Sequence, residues 1–187
     1  MGEDTIKLGF IGAGNNTTLR HLPGFQAIEN VELVSVANRS QISSERVAKQ
    51  WGLPSVYENW TDLISAPDTD AICIGTWPYM HRTLTLAALE HGKHVLCEAR
   101  MAMDSTEAMD MLEASRQRPD LITQIVPAPM SLAVDATIIE MISSGYLGDL
   151  LSVDLSISTD FIDHQSPFIW RHDRDLSGNN ICLLYTS

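Results

Sequence analysis

Three groups of residues in this chain have types and spacings that can do chemistry. The first is a glycine-rich turn, GFIGAGNNT at residues 9–17, which follows the apolar run at 6–11. Glycine at position 12 permits a tight turn, and glycine at position 14 lets the backbone approach a bulky anion. Asn15 follows in the turn before a predicted helix, whose N-terminal amide groups attract phosphate. The strand–turn–helix context is the one a dinucleotide fingerprint requires. Thr17 stands where a third glycine is usual, and an ordinary strand-to-helix loop is the alternative.

The second group closes the next predicted strand, at 33–37. It reads Asn38-Arg39-Ser40, with no acidic residue to hold the adenosine ribose hydroxyls of NAD. Asn38 can hydrogen-bond a ribose or a phosphate. Arg39 can meet a 2'-phosphate or stack on adenine, which favours NADP over NAD. A solvated arginine after a strand is the plainer reading. The third group comprises the loop TWPYMH, with Thr76, Trp77 and His81, and the segment GKHVLCEAR at 92–100, a short buried strand ending in Glu98.

Helices and strands must alternate to position these groups, and the pattern predicts that they do. Short apolar runs at 6–11, 33–37, 56–57, 71–74, 95–97 and 122–126 read as buried strands. Helices are predicted over 17–27, from a Ser40 cap to about Trp51 before Gly52, over 60–64, over 80–90, and from Asp104 or Ser105 to about Arg116. Pro23 and Gly24 weaken the first of them. Such an alternation makes an α/β fold, a parallel sheet with helices on both faces. Beyond Pro127 the character changes. A helix over 132–143 precedes a strictly alternating run at 150–158, which predicts a half-buried strand at the start of a second domain, in a sheet with one covered face.

Composition narrows the partners. The formal net charge is −12, from 24 acidic and 12 basic residues, which argues against nucleic acid and anionic membranes. No run approaches the roughly 20 apolar residues of a spanning helix. The N-terminus has no signal-peptide pattern, so a cytoplasmic protein is expected. Cys73, Cys97 and Cys182 have no metal-knuckle or redox-pair spacing, and the first two sit in apolar runs as buried thiols. No metal site is expected.

Taken in order, the IGAGN turn, the ANRS strand end, the TWPYMH loop, the ALEHGKHVLCE segment and the SGYLGDL stretch resemble the Gfo/Idh/MocA oxidoreductase family. The resemblance implies a Rossmann domain over 1–125. It implies an incomplete α/β substrate and oligomerisation domain with a mostly antiparallel sheet over 126–187, and pairing of the longer protein into a homo-oligomer. It implies NADP or NAD as cofactor, with Gly12, Gly14, Asn15, Asn38, Arg39, Thr76, Trp77, His81 and Glu98 in the binding site. The activity it implies is hydride transfer between nicotinamide and a sugar, polyol or similar small polar substrate.

The family strand ends Glu-Lys-Pro, and its lysine serves catalysis. Here the lysine is Ala99 and the proline Arg100. A methyl group carries no proton, and a guanidinium is a poor acid or base. The family's other catalytic pair, an Asp and a His four residues apart, would follow the glycine-rich element that 177–180 resembles. No Asp and His of that spacing follow the element within these 187 residues, and His164 and His172, which precede it, are not assigned to the pair. The catalytic residues are therefore unassigned, the chain is expected to be inactive by itself as part of a longer protein, and a non-catalytic dinucleotide-binding or sensor protein is the alternative.

Overall fold

The computed structural model describes residues 5–127, 133–154 and 167–178. Its centre is a six-stranded sheet of order β3-β2-β1-β4-β5-β6. The strands are β1 (Ile6–Ile11), β2 (Val31–Ala37), β3 (Ser55–Val56), β4 (Ala71–Ile74), β5 (His94–Cys97) and β6 (Thr123–Ile125). Every pairing between neighbours is parallel. Side chains alternate across the strands into two cores. Leu8, Phe10, Val36 and Cys73 pack on one face with Leu22, Val47 and Leu53. Ile11, Ala37, Ile72, Ile74 and Cys97 pack on the other with Leu63, Leu84 and Met111. Burial on both faces explains why the strands read as continuous apolar runs.

The helices follow from their caps. In α2 (Gln41–Trp51), Ser40 accepts from the Ser43 N–H, and Gly52 ends the helix in the left-handed conformation. Asn59 caps α3 (Trp60–Ser65) and Asp104 caps α5 (Ser105–Gln117) in the same way. The buried face of α4 (His81–Glu90) includes Leu84, Ala88 and Leu89. The predicted helix over 17–27 is present, but its first part is a wide turn over Thr17–His21, joined to α1 (Leu22–Gln26). The Leu22 N–H reaches back five residues to the Thr17 carbonyl. Pro23 is the physical cause: it has no N–H to give, and its ring crowds the carbonyl four residues earlier.

Two departures from the sequence reading bear on the fold. Strand β2 begins at Val31, because Val31 and Glu32 pair with Ile6 and Lys7 of β1. The alternating run at 150–158 is the larger difference. Residues 150–154 lie in no strand, and Leu151 and Val153 are 93% and 83% exposed. Residues 155–158 lie outside the described residues. Alternation specifies which face would be buried, but a strand forms only where a neighbour completes its hydrogen bonds. Among the described residues there is no second sheet, and α6 (Asp135–Ser143) buries none of its side chains. No described helix is long and apolar enough to cross a membrane.

The segment 167–178 returns to the sheet domain. A short turn over Trp170–His172 and α7 (Arg174–Ser177) bring Trp170 onto Trp77 and Gly178 onto Met103.

Ile72 is fully buried at the centre of the sheet. Ile72→Ala is expected to lower the unfolding free energy by about 2–5 kcal/mol, and Ser40→Ala by about 0.5–2 kcal/mol. Urea titrations followed by circular dichroism measure both. Equal losses at the two positions would contradict this picture of the core.

Candidate dinucleotide site

Strand order reverses between β1 and β4, so their connections leave in opposite directions and open a crevice at the carboxyl ends of the strands. Gly12 lies at the end of β1 with φ of 81°, and a Cβ there would sit 2.7 Å from the Thr76 amide nitrogen. The glycine turn and the loop after β4 thus meet backbone to backbone. Two residues on, a Cβ at Gly14 would find no atom nearer than the Gly12 carbonyl at 4.0 Å. This open face is where a pyrophosphate can approach the backbone.

Asn38 braces the turn from β2. Its Oδ1 accepts from the Ala13 N–H at 2.7 Å, its Nδ2 donates to Ser43 Oγ at 3.0 Å, and its own N–H donates to Ser44 Oγ at 2.8 Å. The side chain placed by sequence among the ligand contacts is occupied at both ends with holding the loop.

The crevice is a cleft of about 440 Å³, and Gly14, Asn15, Arg39, Arg46, Thr76 and Trp77 contribute to its wall. Thr76 Oγ1 is buried without a protein hydrogen-bond partner. The Arg39 guanidinium lies 5.4 Å from the centre of the Trp77 ring, and that ring stacks on Trp170 at 5.6 Å and 16°. The Arg171 guanidinium is 4.6 Å from the Trp170 ring. Sequence reasoning missed Arg46 because it looked only at the strand end. The signal is the helical spacing of Ser43, Arg46, Val47 and Gln50, which all line the cleft.

Two predicted site residues lie off the cleft. His81 is fully buried, with Nδ1 2.7 Å from the Arg100 carbonyl and Nε2 2.9 Å from the Thr76 carbonyl. Burial is the dominant influence on the ring and lowers its pKa against the opposing pull of these carbonyls. The neutral ring has one N–H and donates to one carbonyl at a time. It ties the loop after β4 to the loop after β5.

Glu98 ends β5, where its N–H donates to the Ile74 carbonyl at 3.0 Å. Its Oε1 accepts from Asn16 Nδ2 and lies 2.5 Å from His21 Nε2, while Oε2 accepts from the Ala99 N–H at 3.1 Å. Burial raises the carboxyl pKa, but the hydrogen bonds and charge of His21, with Asn16 and the Ala99 N–H, outweigh it and hold the group below 4.5. Neither Asn16 nor His21 stood out in the sequence.

Parallel sheet, order reversal, glycine turn and cation-lined cleft define a nucleotide-binding Rossmann domain. Residues 6–124 match the Gfo/Idh/MocA oxidoreductase family with an NAD-binding Rossmann fold, and the chain belongs to that family. It is similar to the trans-1,2-dihydrobenzene-1,2-diol dehydrogenase of Bos taurus, at 30% identity over 145 residues, 78% of this chain and 42% of the relative. The fold is that of a scyllo-inositol dehydrogenase from Lactobacillus casei, with a TM-score of 0.69 and 23% identity over 80% of this chain and 44% of that one. It is also that of a 3-ketoreductase from Actinomadura kijaniata in complex with TDP-benzene and NADP. There the TM-score is 0.66 and the identity 25%, over 76% and 44% of the two chains. The chain spans under half the length of most curated relatives it matches, from 26% of one to 56% of another. The cofactor class is NAD(P).

The lowered pKa of His81 fixes a sign. The unfolded chain binds a proton near the ordinary value of 6.5 that the folded chain resists, so stability is full above 6.5 and falls as the pH drops below it. His81→Gln should flatten that part of the stability curve between pH 5 and 7, as measured by urea unfolding. An unchanged slope would show that the fold does not alter proton binding at His81.

Proposed function

We propose that this protein is an NAD(P)-dependent oxidoreductase that moves a hydride between nicotinamide C4 and the carbinol or carbonyl carbon of a small polar substrate, a sugar or polyol. The observation that carries the reading is the cleft at the strand-order reversal, with a glycine turn at its centre and Arg39 and Arg46 in its wall. The turn at Gly12, Gly14 and Asn15 holds the pyrophosphate. Ser43, Arg39 and Arg46 hold a 2'-phosphate, which makes NADP the preferred form. Thr76 and Trp77 line the passage toward the β4–β5 half, where Glu98 stands. The bound cofactor supplies the hydride donor or acceptor, and the protein fixes its position and screens it from water.

In this reading residues 1–125 are the cofactor domain, and residues 126–187 belong to a region that contributes substrate contacts. The relatives named above are a dihydrobenzenediol dehydrogenase, a scyllo-inositol dehydrogenase and a 3-ketoreductase, which supports the polar substrate class. A second reading rests on Ala99, whose methyl group cannot move a proton: a dinucleotide-binding protein that senses NADP(H) without turnover.

Fluorescence titration with NADPH, NADP+, NADH and NAD+ tests the site. NADPH is expected to bind more tightly than NADH. Arg46→Ala and Arg39→Ala should each weaken NADPH by roughly 10- to 100-fold, the value of a charge-assisted contact, while leaving NADH nearly unchanged. Failure of all four nucleotides to bind below millimolar concentration would contradict the reading. Tight binding with no oxidation or reduction across a panel of inositols, diols and sugars would favour the sensor.

A further inference from the structure

Reduction of a carbonyl needs a proton as well as a hydride, and residue 99 offers only a methyl group. The same strand end holds another ionisable pair. Glu98 leaves the carboxyl end of β5, on the half of the crevice away from the adenosine-side strand β2. Its two oxygens face different ways: Oε1 meets His21 Nε2 and Asn16 Nδ2, and Oε2 meets the Ala99 N–H. The two side chains are only 13% and 14% exposed, so solvent competes weakly for this contact. His21 lies on the helix that begins at the phosphate turn, one turn below it, with Phe25 as its ring neighbour at 6.4 Å.

Two thiols and a second imidazole interact electrostatically with Glu98. Cys97, next to Glu98, is pushed up to about 12 by burial, and Cys73 on β4 is pushed higher for the same reason. Both thiols stay protonated and neutral. His81, at the start of α4, is held toward its neutral form by burial. Among these groups, His21 is the one whose side chain touches Glu98, and imidazole is a side-chain type suited to passing protons.

We propose that Glu98 and His21 form the proton-handling pair of this protein, in place of the lysine absent at residue 99. The inference rests on the oxidoreductase reading above. In the direction of reduction, an electron pair arrives as hydride from a reduced nicotinamide dinucleotide and forms the new C–H bond. The carbonyl π bond breaks toward oxygen. His21 Nε2 gives its proton to the Glu98 carboxylate, which passes it to that oxygen and ends as carboxylate again. His21 is left as neutral imidazole, and water restores its proton. Glu98 is the catalytic residue because it touches the reacting oxygen. His21 is a positioning residue and the proton's resting place, since a hydrogen-bonded carboxylate is too weak a base to keep it.

The test needs no substrate. With His21 charged the pair is neutral overall, and with His21 neutral it carries one negative charge. The positive ring of NADP+ beside it therefore favours neutral His21, and the uncharged ring of NADPH does not. Imidazole nitrogen shifts of the whole protein, followed from pH 5 to 9 with saturating NADP+ or NADPH, read this directly. The His21 midpoint should be lower with NADP+ by about half a unit. The ratio of NADP+ to NADPH affinity should rise about threefold across the same transition, as linkage requires.

His21→Asn keeps an amide donor for Glu98 but cannot hold the proton. It should bind both nucleotides and lose the pH dependence of their ratio. Glu98→Gln should lower both His21 midpoints, because the anion beside the imidazolium is gone, and leave the difference between them in place. Nucleotide binding with identical His21 midpoints overturns this inference alone. Failure of either nucleotide to bind overturns it together with the oxidoreductase reading.

Discussion

The close approach of Gly12 to Thr76 is the constraint on which the site depends. Strands β1 and β4 pair from Leu8 to Ile11 and from Ala71 to Ile74, and their ends leave the sheet in opposite directions. A side chain at residue 12 would strike the Thr76 backbone and wedge the two loops apart. The bare backbone contact lets the glycine turn sit low, so that Gly14 faces open space. Asn38 then holds the turn at that height through the Ala13 N–H, and Ser43 and Ser44 hold Asn38. The hydrogen bonds are modest singly, but together they couple β1, β2 and α2 into one rigid rim.

That rim separates two electrical environments in a protein whose formal charge is −12. Arg39 and Arg46 face the cleft on the β2 side, so a local positive field exists against an acidic background. On the β5 side, Glu98 is kept anionic by His21 and Asn16. A dinucleotide with a phosphorylated adenosine and an uncharged or cationic nicotinamide matches this polarity. The aromatic and guanidinium series Arg39, Trp77, Trp170 and Arg171 links the positive side to the returning segment 167–178.

The sheet was legible because each strand is buried on both faces, which leaves a continuous apolar run in the sequence. Ser40, Gly52 and Asp104 marked helix ends through local chemistry that needs no distant partner. The glycine turn was legible for the same reason. Other features depend on distant residues. The His21–Glu98 contact joins residues 77 apart, and no local pattern announces it. Asn38 was recognised as polar at the right place, yet its brace on Ala13 depends on how the turn folds back. His81 matched a motif but is committed to two loop carbonyls. The alternation at 150–154 specified a face without supplying the neighbouring strand, and those residues pair with none among the described ones.

The central claim is that the cleft takes a dinucleotide in one orientation, with adenosine phosphate at the arginines and nicotinamide at Glu98. A crystal structure of the protein grown with NADPH tests this most directly. The account predicts density for the 2'-phosphate between Arg39 and Arg46, for the pyrophosphate over Gly14, and for the nicotinamide ring beside Glu98. A dinucleotide lying the other way round, or bound outside the cleft, would contradict it.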